Sequence, residues 1–592
     1  MNKYKYFFIF FIILIIIIYV VFLINKYIKI LKLKNTFTEI ETQIWLNKPS
    51  KIIFPELYPN NFGSKRLFSP EGVSLAFEAG GRRAYSGFIG ILRGLNKIRI
   101  NNLDAFECSQ FVSTVSASSW LLGTYLFANK TISRNLLLGS YIPPENISME
   151  TLNNVNFGLK NNYFLGNRLV SADIKKYIDE GYANGIQPEY LWNYGISEIF
   201  LKPYGLNNKI ISIKDTYADY IYKITGLKPI TPNEDLPFWI SNCALLHIQN
   251  NKMLGTAIFQ VTPIYAGLPN LICNKYSPFG FNNTNIDACV GGFFQNTYSV
   301  GSINPNLFSS YNNKHAKDWE SINVKVKIPF YQNNYFGNNL FTLESVIGTS
   351  GSSQASKFNY NANNVIPSFN LWSPKSNSTD FVPIGDGAYC DFTGITSLLS
   401  RNVKHIISFI TCSNNIKENA NPKIHSDFCG LNILNLFGLN KTNLCNQNDP
   451  NFNESNNNQV FQKEDWLIFA KKLIDSIATG GPGFSRNKFN VLPNYLLGIQ
   501  GGYEVDLLVV VINTSSQFNK LLPKSISDTF SNLSGPFPNF PNYPLINSNL
   551  NLLISLSKAQ INLLDSYIEW CILYPTLKNT ILQMYLEAGV NF

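Results

Sequence analysis

Residues Phe111–Phe127, FVSTVSASSWLLGTYLF, set two periodicities back to back. Phe111 to Val115 is a β-rich apolar run, and Ala117 to about Phe127 reads as a buried helix. Ser116 stands between them. Passing from strand to helix across one residue demands a sharp turn, and a Ser there is held above the sheet edge with its hydroxyl presented. The small neighbours Ala117 and Ser118 let such a turn close. Taken alone, the same residues also fit a Ser-rich helix start with Ser116 as its cap.

A second unit of this kind lies upstream. Val73 to Glu78 reads as a strand, Ala79-Gly80-Gly81 as a turn and Arg82 to Leu95 as a helix. Glycines at that junction let backbone N–H groups approach a ligand from a helix N-terminus, where they hold a phosphate or a developing oxyanion. A plain turn reads the same way. Downstream come β-like runs at Phe238 to His247, Thr256 to Val261 and Val505 to Ile512, and a helical stretch from Leu550 to Leu586 interrupted at Pro575. This alternation predicts an α/β core with a mainly parallel central sheet. A third turn, Gly385-Asp386-Gly387-Ala388, follows the apolar Phe381 to Ile384. Asp386 in a Gly-flanked turn can meet a second loop and take a proton from a hydroxyl, or simply form an Asp-Gly β-turn.

The remaining chain organises around these units. Phe7 to Ile24 is apolar apart from Tyr19 and is flanked by lysines, so residues 1–34 are expected to be a retained transmembrane anchor and 35–70 a connector. Residues 71–592 form the expected globular domain, with a cap or lid insertion at about 136–237 and a C-terminal part at about 414–592. The net charge of +10 is scattered except beside the apolar N-terminus, which favours a membrane over nucleic acid. No zinc-finger spacing or RNA-binding signature is present. Sequons at Asn129, Asn146, Asn377 and Asn513 suit a lumenal or extracellular domain, although the flanking lysines do not decide the side. The nine cysteines have no Cys-x-x-Cys pair; Cys273 with Cys289, or Cys412 with Cys429 and Cys445, could pair in an oxidising compartment.

In their order along the chain, the Gly turn, the Ser elbow and the distant Asp-Gly resemble the patatin-like, cytosolic phospholipase A and fungal phospholipase B (lysophospholipase) superfamily. Phe259 to Gly267 (FQVTPIYAG), Cys289 to Phe308 and Asp386 to Leu399 are similar to further segments of fungal phospholipase B. The resemblance implies a patatin-like α/β hydrolase fold and a serine acyl hydrolase that cleaves fatty-acyl esters of phospholipids or lysophospholipids. It implies Ser116 as nucleophile, Asp386 as general base in a Ser–Asp dyad, Gly80 and Gly81 as oxyanion-hole donors, and Arg83 at the substrate phosphate. It requires no catalytic His, no metal and no other cofactor. Ala79, Thr114, Ala117 and Ala388 stand where the family usually has Gly, and Thr114, being β-branched, is expected to crowd the elbow. The alternative reading is a catalytically degenerate, membrane-bound lipid-binding or scaffold protein.

Overall fold

The computed structural model describes residues 13–21, 24, 37–47, 52, 54–57, 68–157, 162–212, 222–223, 229–249, 252–273, 289–302, 321–329, 341–360, 363–372, 379–439, 458–530 and 535–589. Its main sheet has 13 strands. They are β1 (Phe37–Leu46), β2 (Val73–Phe77), β3 (Phe111–Val115), β4 (Phe238–Gln249), β5 (Lys252–Val261), β6 (Tyr265–Cys273), β7 (Cys289–Asn296), β8 (Ser321–Pro329), β9 (Ser368–Trp372), β10 (Thr379–Asp386), β11 (His405–Thr411), β12 (Gly483–Asn490) and β13 (Glu504–Ile512). The order across the sheet is β8-β1-β7-β6-β5-β4-β3-β2-β11-β13-β12, with β10 added on β4 and β9 on β10.

The centre, β4-β3-β2-β11-β13, is parallel, and the flanks are antiparallel. Its strands are apolar on both faces because both faces are covered. Leu75, Phe77, Leu508 and Val510 face one apolar layer, while Ala76, Leu507, Val509 and Val511 face the other. The first layer contains the helices α1 (Gly81–Lys97), α2 (Ala117–Phe127), α3 (Pro188–Ile196), α4 (Leu343–Ser350), α6 (Lys558–Leu573) and α7 (Pro575–Glu587). On the other side α5 (Asp465–Ala478) supplies Trp466, Phe469 and Leu473. Fully burying one such side chain contributes about 1.5–3 kcal/mol, so this sandwich is the main source of stability. The helices between residues 136 and 237 bury Leu152, Ile174, Ile178 and Trp192 in the same layer as α1 and α2.

Several expectations change here. Among the described residues no helix is long and apolar enough to cross a membrane, so the single-pass anchor is not supported. Of the apolar N-terminus, residues 13–21 and 24 are described, and they are helical. The rest of Phe7 to Ile24 lies outside the described residues, as do the Asn-rich residues 446–457. The segment read as a connector contributes β1, paired with β7 and β8; Ile40, Thr42 and Ile44 are buried at the strand period, with Glu39 and Glu41 exposed between and beside them. Asn513 is no glycan acceptor: its buried carboxamide accepts from the Ile416 N–H at 2.9 Å and donates to the Ile416 carbonyl at 3.0 Å. Cys273 and Cys289 are register partners on β6 and β7, the Cys412 thiol donates to the Asn414 carbonyl, and Cys429 is disulfide-bonded.

A buried ion cluster ties α1 to α6. The Arg93 guanidinium lies 3.0 Å from Asp565 and 2.6 Å from Glu569, and neither carboxylate reaches solvent. Burial pushes the Asp565 carboxyl up to about 7, opposed by Arg93. Removing the Arg93 cation leaves the buried Asp565 without its partner charge and Glu569 with Lys97 alone, so Arg93→Met is expected to cost about 3–5 kcal/mol, read as a lowered thermal unfolding midpoint.

Candidate active site

The Gly turn and the Ser turn leave the same edge of the sheet. β2 and β3 run parallel with Phe77 opposite Thr114, so Gly80-Gly81 and Ser116 both emerge beyond the C-terminal ends of neighbouring strands. Ligands of open α/β sheets bind at that edge. The Ser116 backbone has φ 59° and ψ −131°, a conformation that costs a non-Gly residue of order 1–3 kcal/mol and persists only where its surroundings impose it. Two contacts across the turn do so. The Ser118 hydroxyl accepts the Val115 N–H at 2.8 Å and also reaches the Phe77 carbonyl at 3.0 Å, tying the elbow to the end of β2.

The register of β4 delivers the third turn. On one side β4 pairs with β3 up to Asn242 opposite Val115. On that side β10 then takes over, with Cys243 opposite Asp386. Ser116, the residue after Val115, therefore meets Asp386, the last residue of β10. The Ser116 hydroxyl donates to Asp386 Oδ2 at 2.8 Å. Oδ2 also accepts the Ser353 N–H at 3.1 Å, and Oδ1 accepts the Ala388 N–H at 2.9 Å. Burial pushes the Asp386 carboxyl up to about 6, against the pull of the donors from Ala388, Ser116 and Ser353. Asp391, five residues on, is equally buried but spent: its oxygens accept the N–H and hydroxyl of both Thr393 and Thr396.

At the Gly turn, the Ala79 N–H is taken by the Phe392 carbonyl, the Arg82 N–H by Leu545 and the Ala84 N–H by Gly80. Neither the Gly80 nor the Gly81 N–H is engaged by another described residue. Gly81 has φ +53°, and a Cβ there would lie 2.3 Å from the Leu545 carbonyl oxygen, so only glycine fits. Arg83 points inward: it donates to the Tyr543 carbonyl and the Thr411 hydroxyl, each at 3.1 Å, and its Nε has no partner among the described residues. Burial lowers its pKa, and the nearby Glu78 opposes that.

Thr114 does not crowd the elbow. Its hydroxyl accepts from Trp239 Nε1 at 2.9 Å and meets the Ser119 hydroxyl at 2.8 Å, so its branch serves a buried polar chain behind the turn. Of the four histidines, His405 begins β11 opposite Val73, at the far edge of the sheet from Ser116. His425 meets Trp466 edge-on, and no described residue gives Ser116 or Asp386 a histidine partner. The sequence reading missed Ser350 and Ser353. Their only signal was the run of small residues Gly348-Thr349-Ser350-Gly351-Ser352-Ser353, which resembles any flexible turn.

No protein-family model matches the sequence, and no curated protein does. Among solved structures the chain is similar to human GIVD cytosolic phospholipase A2, at 11% identity and a TM-score of 0.40, over 89% of this chain and 64% of that one. It is also similar to that protein in complex with methyl γ-linolenyl fluorophosphonate, at 10% identity and a TM-score of 0.36, over 89% and 60%. With terbium chloride also present, the figures are 13%, 0.34, 87% and 59%. The chain thus spans less than two thirds of these proteins' length, and none of the chemistry below rests on the likeness.

Thr114→Val keeps the shape and removes the hydroxyl, leaving the buried Trp239 N–H without its acceptor. The variant is expected to lose about 1–3 kcal/mol, measured as a lowered unfolding midpoint with the fold retained by circular dichroism.

Proposed function

We propose that this chain is a serine acyl hydrolase acting on fatty-acyl esters of phospholipids or lysophospholipids, with Ser116 as nucleophile and Asp386 as general base. The observation that carries the reading is the 2.8 Å hydrogen bond between Ser116 and Asp386 at a strained strand-to-helix turn. A lone serine hydroxyl is a weak nucleophile and needs an adjacent base. A carboxyl near pKa 6 is ionised at neutral pH and still basic enough to take the proton in the transition state. The lipid substrate class is carried by the sequence motifs alone.

Ser116 Oγ attacks the ester carbonyl as its proton passes to Asp386. The oxygen that becomes negative is assigned to the Gly80 and Gly81 N–H groups, the two donors of that turn that no described residue engages. Asp386 returns the proton to the departing alcohol, leaving an acyl-serine. Water then gives a proton to Asp386 as its oxygen bonds to the acyl carbon, and Asp386 passes that proton to Ser116 Oγ as the acyl–Oγ bond breaks and the fatty acid leaves. The sequence motif assigns Arg83 to the substrate phosphate, while its guanidinium here is buried on the Tyr543 carbonyl and the Thr411 hydroxyl.

The test is fatty-acid release from mixed phospholipid and lysophospholipid vesicles by the full chain, beside folded Ser116→Ala and Asp386→Asn variants. Both variants are expected to lose about 10³-fold or more. Labelling of Ser116 by a fluorophosphonate is expected in the parent; a parent with neither activity nor labelling would sink the reading. Gly81→Ala, which displaces an oxyanion donor, is expected to cost about 10²–10³ in kcat.

The sign of the pH dependence follows from Asp386, which must be ionised to act as base. As pH falls through about 6 the carboxylate is protonated and kcat/KM should drop about tenfold per unit, with a plateau above. A pH–rate profile flat from 4.5 to 8 would exclude Asp386 from that role.

A further inference from the structure

One short segment touches both members of the Ser116–Asp386 pair. Ser350, the last residue of α4, accepts the Ser116 N–H at 3.1 Å, and three residues later Ser353 donates its N–H to Asp386 Oδ2 at 3.1 Å. Ser350 is also the receiving end of a buried hydroxyl chain. Trp239 Nε1 donates to Thr114 Oγ1 at 2.9 Å, Thr114 meets Ser119 at 2.8 Å, Ser119 meets Ser350 at 2.8 Å, and Ser350 donates to the Asn242 carbonyl at 2.7 Å.

Proton counting fixes the direction of this chain. An indole N–H can only donate and a carbonyl can only accept, so the hydroxyl protons between them point from Trp239 towards Asn242. Ser350 Oγ then gives its one proton to Asn242 and fills its two lone pairs with the Ser119 hydroxyl and the Ser116 amide. No rotation of Ser350 improves on that set. The backbone beneath is equally confined. A Cβ on Gly351 would lie 2.3 Å from Trp120 Nε1, and Trp192 Nε1 donates to the Gly348 carbonyl at 3.0 Å.

We propose that Ser350 is a positioning residue for the acyl transfer: its hydroxyl holds the Ser116 amide in the strained elbow and so keeps Ser116 Oγ against Asp386. The inference rests on the reading that Ser116 and Asp386 are the reacting pair. Ser350 touches no substrate atom in this scheme. Its effect is on the fraction of time the pair is in contact, which enters kcat and leaves substrate affinity alone. It also enters the titration of Asp386, because the Ser116 hydroxyl bond favours the carboxylate. The other titratable groups facing Asp386 are Cys243 and Tyr389, both pushed up by burial, so neither changes charge between pH 4.5 and 8.

The experiment compares the full chain with Ser350→Ala and with the near-isosteric Ser350→Cys, whose sulfur is a weak acceptor. Fatty-acid release gives kcat, KM and the pH profile, and fluorophosphonate labelling reports Ser116 without substrate. Ser350→Ala is expected to lower kcat and the labelling rate by about 10²-fold with KM within about twofold, the scale of a small misplacement. The acid limb should move to higher pH, a change that mere loss of packing would not cause. Ser350→Cys should fall between the two, and it carries the test if the alanine variant does not fold. Parent-like kcat, labelling and acid limb in a folded variant would overturn the inference and leave the Ser116–Asp386 reading standing. A parent that neither turns over nor labels would overturn both.

Discussion

Strand β4 outlasts its neighbour β3, and the candidate site depends on that difference in length. The parallel ladder stops at Val115 opposite Asn242, and the next position of β4, Cys243, pairs with Asp386 on an antiparallel strand. A strand has two hydrogen-bonding edges, and β4 lends the same edge first to β3 and then to β10. The end of one partner and the end of the other therefore meet, and the last residues of each are Val115, leading into Ser116, and Asp386. A slip of one residue in either ladder would turn one of the two side chains to the opposite face.

What keeps that junction useful is the polar accounting around it. Each buried hydroxyl behind the elbow has a donor and an acceptor, so Thr114, Ser119 and Ser350 act as one connected support for the turn. The two buried aspartates of the third turn show the same economy from the other side. Asp391 is saturated by four local donors and shapes its loop, whereas Asp386 takes two backbone N–H groups and keeps room for the Ser116 hydroxyl. Burial raises the basicity of Asp386, and its donors moderate that rise to a value suited to proton transfer.

Thr114, where the resembling family usually has Gly, and the buried Gln260 both have local reasons here. Thr114 is accommodated because its hydroxyl replaces a contact that a glycine could not make. Gln260 sits in a buried cluster where it accepts from Arg401 at 3.0 Å, while Arg401 also binds Glu56 and Tyr265 at 2.6 and 2.7 Å. These packing solutions rest on tertiary contacts, and a residue-by-residue match to a motif could not anticipate them.

By itself the sequence determined the elements nearest the site. The strand Phe111–Val115 and the helix Ala117–Phe127 were legible to the residue, because a change of hydrophobic period and a Ser between small neighbours are local signals. The Gly80-Gly81 turn and the buried run of β13 were legible for the same reason, one from backbone freedom and the other from an apolar stretch broken only by Asp506. Local signals also misled. An apolar N-terminus read as a span has no described helix long enough to cross a membrane, and a connector proved to hold β1, since its pairing partners lie more than 240 residues away. Only the tertiary structure decided that Ser116 meets Asp386, that Asp391 does not compete, and that Ser350 and Ser353 brace the pair. Those facts depend on strand register and on contacts across 230 to 270 residues of sequence, and no periodicity within a short window encodes them.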